Sequence, residues 1–491
     1  MDPVTLQVML GALRSTCDEM GAVLVRSAHS ANIKERRDSS TALFDAAGRM
    51  VMQAEHIPVH LGAMPTAVAA VLEEEHRPGD TWILNDPYRG GTHLPDITLI
   101  SPVFHGAELI GFTANRAHHA DVGGRTPGSM PADSRSLDEE GVVIPPSRLD
   151  DDLLDELAGR MRNPAQRRAD LRAQLAANRT GGARLAGLAA AHGAELLRQA
   201  MDATLDYAER RTRARIAELA DGERTAEDVL EASEGDLPLR LRATVMGNEL
   251  ELDFAGSAGQ HEGNLNCPLA VTLSACYFAV RVLADPDVPP SAGAWRPVTV
   301  KAPEGSLLNA RAPAAVAAGN VETSSRVADL VLAAFGRALG QGTMNNLTLG
   351  NERFTYYETL GGGQGACPDA DGPSAVHVAM SNTLNTPVEA LELEFPLRAV
   401  EYAVRRGSGG RGQHRGGDGV VRELRALEPM DYSLITERRR HAPPGADGGE
   451  SGRQGRNLLN GDELPPKATG SLRAGDRLRI ETPGGGGHGE A

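Results

Sequence analysis

The pattern of hydrophobic and polar positions predicts a helix followed by several strands in the first 149 residues. In TLQVMLGALRSTCDEM, apolar residues recur at steps of three and four, which indicates an amphipathic helix with Thr5 as its N-cap. TALFDAAGRMVMQ predicts two short strands around a turn. GDTWILNDP, DITLISPVF and LIGFTANRAHHAD predict three more. We therefore predict a mixed α/β domain over residues 1–149.

The pattern changes at Asp150, after which Ala, Leu, Arg and Glu dominate as far as Gly222. The apolar residues of this stretch form an interrupted helical stripe: Leu171, Leu175, Leu185, Leu188, Leu197, Met201, Leu205, Ile216 and Leu219. Thr180-Gly181-Gly182 is the expected break in the stripe. Such a Met/Leu stripe is more often core than a cofactor site. We predict a helical insert or arm over residues 150–222.

Alternating apolar and polar residues return beyond this stretch. LRLRATVMGNELELDF alternates on both sides of Gly247-Asn248, which predicts a β-hairpin. The remaining chain combines helical stretches such as TSSRVADLVLAAFGRAL with strands punctuated by glycine. We predict a β-rich C-terminal region over residues 223–491, and an α+β fold class for the whole chain.

Composition narrows the class of protein. A length of 491 residues suggests about three domains. With 50 Lys and Arg against 66 Asp and Glu, the net charge of −16 disfavours binding to nucleic acids or to anionic membranes. The four cysteines form no CxxC pair, and no apolar run reaches the ~18 residues that span a bilayer. We predict a soluble, cytoplasmic protein whose partners are small molecules or other proteins.

Histidines are concentrated between residues 56 and 119, where seven of the fourteen occur: His56, His60, His76, His93, His105, His118 and His119. Within this window, His93 and Asp96 lie three positions apart in THLPD, and His118, His119 and Asp121 end a predicted strand. Two neighbouring strand ends can converge on one cation. A set of two histidines and a carboxylate suits a catalytic zinc or manganese, because three protein ligands leave a position for water or substrate. The alternative is that these residues cap and hydrogen-bond two loops.

Other candidates for chemistry have simpler explanations. Pro58 argues against a helical pair of His56 and His60, so both are interpreted as structural. Cys367 is interpreted as a turn or buried cysteine rather than a nucleophile. No G-x-S-x-G elbow surrounds the candidate serines, which are Ser39, Ser40, Ser324 and Ser325.

Three glycine-rich segments, 360–366, 407–419 and 483–489, allow two interpretations. Their backbone amides could cradle an anion, or they could form tight turns between strands. The chain contains no G-x-x-x-x-G-K-[ST] motif and hence no recognisable P-loop. The run Arg438 to Arg440 is expected to make internal ion pairs or a partner contact in a chain this acidic.

Nine segments together resemble the hydantoinase B family, over nearly the whole chain and in consistent order. They are NIKERRDSSTALFDAAGRMVMQAEHIPVHLGAMP, NDPYRGGTHLPDITLISPVF, NRAHHADVGGRTPGSMP, EGVVIPPSRL, GNVETSSRVAD, YYETLGGGQGA, SNTLNTPVEALE, ITERRRHAPPGADGG and TPGGGGHG. The family includes the beta subunits of N-methylhydantoinase and caprolactamase and the C-terminal part of 5-oxoprolinase. It also includes the large subunits of acetone and acetophenone carboxylases.

The resemblance implies a site and a partner. In the family a metal is held by a histidine, an aspartate three positions on and a histidine twenty-five positions after the first, which here are His93, Asp96 and His118. Asp38 matches a region that adds a further carboxylate. His119 or Asp121 would take a proton or orient a ligand. A hydantoinase A-type subunit would hold ATP and magnesium, which implies a hetero-oligomer. The glycines beside His93 would allow close approach of backbone and substrate.

The resemblance also implies a reaction. The partner would phosphorylate the carbonyl oxygen of a hydantoin, 5-oxoproline or lactam, and ring opening would follow in this subunit. One alternative is a subunit of an ATP-dependent ketone carboxylase, although the large subunits of those enzymes are longer. Another is a non-catalytic assembly subunit. APPGADGG stands where relatives carry bulky apolar residues, which leaves the ring substrate open.

Overall fold

The computed structural model describes residues 1–55 and 57–491, so the interpretation of His56 lies outside the described residues. The helices are α1 (Pro3–Ser27), α2 (Ala31–Lys34), α3 (Ala63–Ala69), α4 (Asp151–Gly159), α5 (Pro164–His192), α6 (Ala194–Ile216), α7 (Leu269–Ala284), α8 (Ala292–Trp295), α9 (Ser324–Ala334) and α10 (Val388–Glu394). In the part of the chain so described, no helix is both long and apolar enough to cross a bilayer.

The strands are β1 (Ser39–Phe44), β2 (Met50–Glu55), β3 (Trp82–Leu84), β4 (Asp96–His105), β5 (Glu108–His118), β6 (Ser147–Arg148), β7 (Gly222–Ala232), β8 (Gly235–Met246), β9 (Glu249–Asp253), β10 (Val298–Lys301), β11 (Asn346–Gly350), β12 (Thr355–Glu358), β13 (Leu397–Arg405), β14 (Gly419–Ala426), β15 (Met430–Ile435), β16 (Arg456–Leu459), β17 (Asp462–Leu464), β18 (Lys467–Leu472) and β19 (Arg477–Glu481). Helices and sheets in one chain confirm the predicted α+β class.

The first sheet has the order β2-β1-β5-β4-β3-β6, and its neighbouring strands are antiparallel. Its strands β1 to β5 confirm the five strands predicted in this part of the sequence. Leu43 and Ala117 pack against α1 and α5 on one face, whereas Ala42 and Phe112 pack with α3 on the other. Residues one position apart on a strand therefore face different layers.

The first helix begins earlier than its pattern predicts. Asp2, not Thr5, is the N-cap, because its side chain accepts hydrogen bonds from the amides of Val4 and Thr5, each at 3.0 Å. Pro3 then occupies the first helical position, where a missing amide hydrogen costs nothing.

The predicted break at Thr180-Gly181-Gly182 is wrong, since α5 runs unbroken through it. A Cβ atom at Gly181 would lie 2.3 Å from the sulfur of Met20. The glycine therefore permits close packing of α5 on α1, rather than ending the helix. With α4 and α6, this helix occupies the stretch predicted to be an insert, and α5 covers β4 and β5. The division into three domains stays a prediction.

The predicted hairpin is confirmed. β8 and β9 pair antiparallel, with Met246 opposite Glu249 across Gly247-Asn248. They lie within a sheet of order β10-β9-β8-β7, which packs against α7 and α9. Two further sheets, β12-β11-β15-β18 and β13-β14-β19-β16-β17, form the C-terminal part.

The arginine run confirms the expectation of internal ion pairs. Arg438 contacts Asp228 at 2.7 Å, and Arg440 contacts Asp236 at the same distance. The guanidinium of Arg439 donates to Asn345 at 2.9 Å. The two ion pairs join the loop after β15 to the hairpin of β7 and β8.

The glycine-rich segments are neither open anion cradles nor simple turns. They lie side by side in a cluster, called here the glycine bundle, made of residues 361–366, 407–419, 445–455 and 483–489. The amide of Gly485 donates to Gly417 and the amide of Gly410 donates to Gly485, both at 2.9 Å. A Cβ atom at Gly485 would lie 2.0 Å from the carbonyl oxygen of Gln364. Glycine is required because the backbones touch.

Candidate metal centre

Two rows of polar side chains cross the first sheet on the face that α3 covers. In the inner row, the register places Ser40 opposite Arg116, and Arg116 opposite Thr98. In the outer row, at the strand ends, Asp96 lies opposite His118. The alternation of a strand puts residues i and i+2 on one face, so the two rows share it with the apolar core further along the strands.

The loop before β4 brings a second histidine to the outer row. Nε2 of His93 lies 3.1 Å from Nδ1 of His118 and 3.1 Å from Oδ1 of Asp96. The third distance, from Nδ1 of His118 to Oδ1 of Asp96, is also 3.1 Å. All three residues are buried. The structure therefore brings together the three residues predicted to bind metal, named here the triad.

The glycines of this loop serve the fold of the loop itself. Gly90 has φ 104°, and a Cβ atom there would lie 2.6 Å from the Cα of Ala67. A Cβ atom at Gly91 would lie 2.2 Å from the carbonyl oxygen of Asn85. Protein backbone, not open space for a substrate, therefore explains this Gly-Gly pair, contrary to the expectation from sequence.

The triad fits a divalent cation better than it fits a hydrogen-bonded cluster. Metal bonds of about 2.1 Å place neighbouring ligand atoms about 3.0–3.4 Å apart in octahedral or tetrahedral geometry. Three mutual separations of 3.1 Å match that range. Each ring nitrogen carries at most one hydrogen, so three such contacts cannot all be good hydrogen bonds. Among the residues that the structure describes, these three form the one group of its kind.

The second oxygen of Asp96 is held by two side chains. Thr92 donates its hydroxyl to Oδ2 at 2.6 Å, and Nε2 of His60 lies 3.4 Å from the same oxygen. Nδ1 of His60 lies 2.8 Å from the hydroxyl of Ser40. Such outer contacts orient a metal-binding carboxylate. His60, interpreted from sequence as structural, thus belongs to the site.

Pro58 explains why the role of His60 escapes prediction. The proline does exclude an α-helix, but residues Pro58–His60 form a single 3₁₀ turn that brings the histidine over β1 and β4. The sequence signal that was available is a histidine within an otherwise apolar stretch, residues 57–61.

The pKa shifts of Asp96 and His118 favour the protonation forms that bind a cation. Burial raises the pKa of Asp96, but the charge of His93 and hydrogen bonds from His118 and His60 outweigh it, holding that pKa well below its usual value. Burial lowers the pKa of His118. A charged carboxylate beside a neutral imidazole is the form that binds a metal.

Arg116 holds in position the loop that carries His93. Its Nε donates to Thr98 at 2.7 Å and its Nη2 donates to the carbonyl oxygen of Gly90 at 2.7 Å. Burial lowers the pKa of Arg116 to about 10, opposed by the nearby charge of Asp96. The guanidinium therefore stays charged at neutral pH, and it supports the negative charge of Asp96.

Asp38 lies beside the triad but outside the group of three. Its backbone oxygen accepts from the amide of His118 at 3.0 Å, and its carboxylate lies 4.0 Å from Arg36. Burial raises the pKa of Asp38, although His118 and Arg36 oppose the rise. A role for Asp38 as a further ligand stays a prediction.

His119 and Asp121 are not brought to the triad. His119 faces α5 because it follows His118 by one position, and its Nε2 donates to Gln174 at 2.9 Å. Burial and the charge of Arg167 lower the pKa of His119 to about 4. Asp121 accepts from the amides of Gly123 and Gly128 at 2.7 and 2.8 Å. Their catalytic role stays a prediction.

A tyrosine from the C-terminal part completes the wall of the site. The ring of Tyr357 stacks on His118, with centroids 4.5 Å apart and planes 17° apart. Arg36 lies 4.7 Å above the same ring and donates to the carbonyl oxygen of Tyr357 at 3.0 Å. No local pattern could pair residues so far apart in sequence; only YYETLGGGQGA, within the family resemblance, contained the tyrosine.

Known proteins resemble this chain in both fold and sequence. The crystal structure of ATP-dependent caprolactamase from Pseudomonas jessenii superposes with a TM-score of 0.94 and 27% identity, covering 100% of this chain and 91% of that chain. This chain therefore has the fold of that caprolactamase chain. The sequence matches Hydantoinase B/oxoprolinase over residues 2–491, and the chain belongs to that family.

Two relatives differ in length. A 5-oxoprolinase of Dictyostelium discoideum is 37% identical over 511 residues, which cover 100% of this chain but 40% of the relative. The chain thus spans about two fifths of that enzyme. The putative B-type subunit of a D-/L-hydantoinase from Pseudomonas sp. is 31% identical and is covered over 90% of its length, along 100% of this chain.

Proposed function

We propose that this chain is the metal-dependent subunit of an ATP-dependent amidohydrolase that opens a cyclic amide. The observation that supports it most directly is the buried triad with equal separations of 3.1 Å. Membership of a family whose relatives include a 5-oxoprolinase and a putative hydantoinase component supports the reaction class. The substrate would be a hydantoin, 5-oxoproline or a lactam.

The side chains of the site have distinct roles in this proposal. His93, His118 and Oδ1 of Asp96 would hold a divalent cation, with zinc or manganese suited to the donor set. Such an ion supplies a Lewis acid that activates water and polarises a carbonyl. Thr92 and His60 keep Oδ2 of Asp96 occupied, so that Oδ1 stays directed at the histidines. Asp38 would add a carboxylate next to the triad.

Gln174 and Arg162 hold His119 and Asp121 in position. Gln174 fixes the tautomer of His119: its own amide nitrogen donates to Ile97 and Asn115, so its oxygen accepts from Nε2 of His119. Asp121 ties the loop after β5 to Arg162 at 3.0 Å. These contacts fix the positions of His119 and Asp121 themselves, and both roles that the resemblance implies for them stay open.

The ATP step belongs to a partner in this proposal. A hydantoinase A-type subunit would bind ATP and magnesium and phosphorylate the carbonyl oxygen of the ring. The absence of a P-loop motif from this sequence supports that division. Calorimetry tests it: the isolated chain should bind no ATP, and micromolar binding would contradict the division.

The decisive experiment compares single substitutions in the purified complex. His93→Ala, Asp96→Ala and His118→Ala should each remove most of the bound metal and most of the ATP-dependent ring opening, because each deletes one of three ligands. Asp38→Ala should reduce both if Asp38 is a ligand. His105→Ala is the matched control, since His105 is exposed at the far end of β4.

Melting temperature and co-purification of the partner should be measured on the same samples. Full metal content and turnover in all three variants would show that the triad is structural. Metal retained without any ring opening in the unaltered complex would favour the assembly subunit. Turnover that requires bicarbonate and a ketone would favour the carboxylase.

A further inference from the structure

A cavity of about 310 Å³ lies beside the candidate metal centre. It is bounded by the start of α5, residues 29–32 and residues 352–357, and is named here the α5 cavity. Tyr357 forms part of its wall, and the same ring stacks on His118. Ala120 and Asp121, which follow His118 closely in sequence, form another part. A molecule in this cavity would therefore contact Tyr357, the residue whose ring stacks on His118.

The amino end of α5 faces this cavity. Its N-cap Asn163 lines the cavity, and the side chain of Asn163 makes no capping hydrogen bond. The helix is 29 residues long. Aligned peptide dipoles give such a helix end about half a positive charge, which favours an anion nearby.

Arg167, in the first turns of α5, supplies free donors at the same place. It lines the cavity and is fully buried. Its Nη2 contacts Gln166 and, at 3.4 Å, Asp170. Its Nε and Nη1 have no hydrogen-bond partner among the described residues. Buried donors without acceptors are unfavourable, and an anionic oxygen in the cavity would satisfy them.

Asp121, the acidic residue in the buried wall of the α5 cavity, already has a cationic partner and amide donors. Asp121 accepts from Arg162 at 3.0 Å through Oδ2, which also accepts from the amide of Gly128. Its Oδ1 accepts from the amide of Gly123. The remaining charged groups contributed by 352–357 and α10 are exposed at the rim, where water screens them: Glu352, Arg353 and Glu394.

We propose that the α5 cavity binds an anionic group of the substrate, a carboxylate or a phosphoryl group, through Arg167 and the amino end of α5. The proposal rests on the proposed function in that the ligand is the cyclic amide that the triad would open. It assigns to this cavity either a carboxylate that the ring itself carries or the phosphoryl group that the partner adds.

Binding of two matched rings to the full chain tests the proposal. 2-Pyrrolidone-5-carboxylate and 2-pyrrolidone-5-carboxamide share one ring and differ in charge, and inorganic phosphate serves as the third probe. Because one charge-assisted contact is worth about tenfold in Kd, the carboxylate should bind about tenfold more tightly than the carboxamide. If phosphate alone shows binding that depends on Arg167, the anionic group is phosphoryl.

Arg167→Gln should abolish the preference for the anion. Arg168→Gln is the matched control, since Arg168 is the next residue of α5 and pairs with exposed Asp155. Equal binding of both rings together with no binding of phosphate would overturn the proposal. So would an anion preference that survives in Arg167→Gln.

A second measurement needs no substitution, in case Arg167→Gln fails to fold. In the unaltered chain, the carboxylate or phosphate should slow hydrogen exchange of the amides of Asn163 and of residues 165–168, and the carboxamide should not. Unchanged exchange with every probe would overturn the proposal. These binding experiments use neither ATP nor partner, and ring opening is measured separately in the purified complex. Ring opening in the complex without anion binding by the chain refutes this inference alone. Anion binding without ring opening refutes the proposed function alone.

Discussion

Both carboxylate oxygens of Asp96 have partners, and the partners belong to different layers of the site. Oδ1 lies at 3.1 Å from two histidine nitrogens, whereas Oδ2 accepts from Thr92 at 2.6 Å. A carboxylate held this way cannot rotate without breaking a short hydrogen bond. If the triad binds a cation as proposed, the hydroxyl of Thr92 would contribute to metal affinity without touching the metal.

Thr92→Val should weaken divalent metal binding about 10- to 100-fold, the usual effect of losing an outer-shell hydrogen bond. The change keeps the shape of the side chain and removes the hydroxyl. Metal titration monitored by calorimetry measures it. Thr180→Val is the control, because the hydroxyl of Thr180 bonds only to Ala176 within α5. Equal affinity in both variants would contradict the assigned role of Thr92.

Glu322 is expected to make the stability of the protein depend on pH. Burial and repulsion from Glu437 raise the pKa of Glu322 to about 8, from an ordinary value of 4.5. The folded protein thus keeps a proton that the unfolded chain releases at lower pH. This contribution to stability is full below about pH 4.5 and is lost as the pH rises to about 8.

Glu322→Gln should remove this dependence. Relative to the unaltered protein, the variant should gain free energy of unfolding as the pH rises, by at most about 1.4 kcal/mol per pH unit. Denaturant unfolding at several pH values measures the difference. A difference that stays constant between about pH 5 and pH 8 would show that Glu322 titrates normally.

At the scale of elements, α5 is joined to the first sheet by buried amide side chains as well as by apolar packing. Asn115 donates to Asn178 at 2.7 Å and to the carbonyl oxygen of Gln174 at 2.8 Å. Gln174 in turn bonds to Ile97 and His119. These directional bonds fix the position of the helix along the strands, which apolar contacts alone leave less defined.

Gln174→Leu should lower the free energy of unfolding by several kcal/mol, because it leaves buried partners on Ile97, Asn115 and His119 unsatisfied at about 1–3 kcal/mol each. Chemical denaturation measures the change. Gln199→Leu is the control: Gln199 lies on the exposed face of α6 and its side chain bonds to Glu195, so about 0.5 kcal/mol or less is expected. Equal losses in the two variants would contradict the role of the amide cluster.

Alternation and spacing predicted much at this scale but not all of it. The hairpin at Gly247-Asn248 follows from a period of two, and the first five strands follow from short apolar runs bounded by turn residues. Spacing placed His93, Asp96 and His118 among five candidates, and the family resemblance then singled out these three. Gly181 was misread, because a glycine that breaks a helix and one that lets a helix pack closely look the same in sequence.

At the scale of the molecule, the glycine bundle determines how the C-terminal half is packed. Gly485→Ala should lower the free energy of unfolding by about 1–3 kcal/mol or more, since its Cβ atom would lie 2.0 Å from a backbone oxygen. Thermal and chemical denaturation measure the loss. Gly187→Ala in α5 is the control: nothing lies within 4 Å of its Cβ position, and helix propensity favours the change. A neutral Gly485→Ala would show that the bundle can expand.

The contacts that cross the whole molecule were the least accessible to sequence reasoning. Tyr357 reaches His118 from β12, and Arg36 reaches Thr359 at 2.8 Å. Such pairs depend on how sheets stack, and no periodicity within one segment carries that information. The packing of the glycine-rich segments could not be predicted for the same reason, since each segment alone resembles a local turn.

The glycine bundle also sets the order in which the chain can mature during synthesis. Its four segments come from residues 361–366, 407–419, 445–455 and 483–489, and each supplies hydrogen-bond partners to the others. Before residues 483–489 are made, the groups that bond to them, such as the amide of Gly410 and the carbonyl of Gly417, can bond only to water. Closure of the bundle must therefore wait for residues 483–489, which are synthesised after the other three segments.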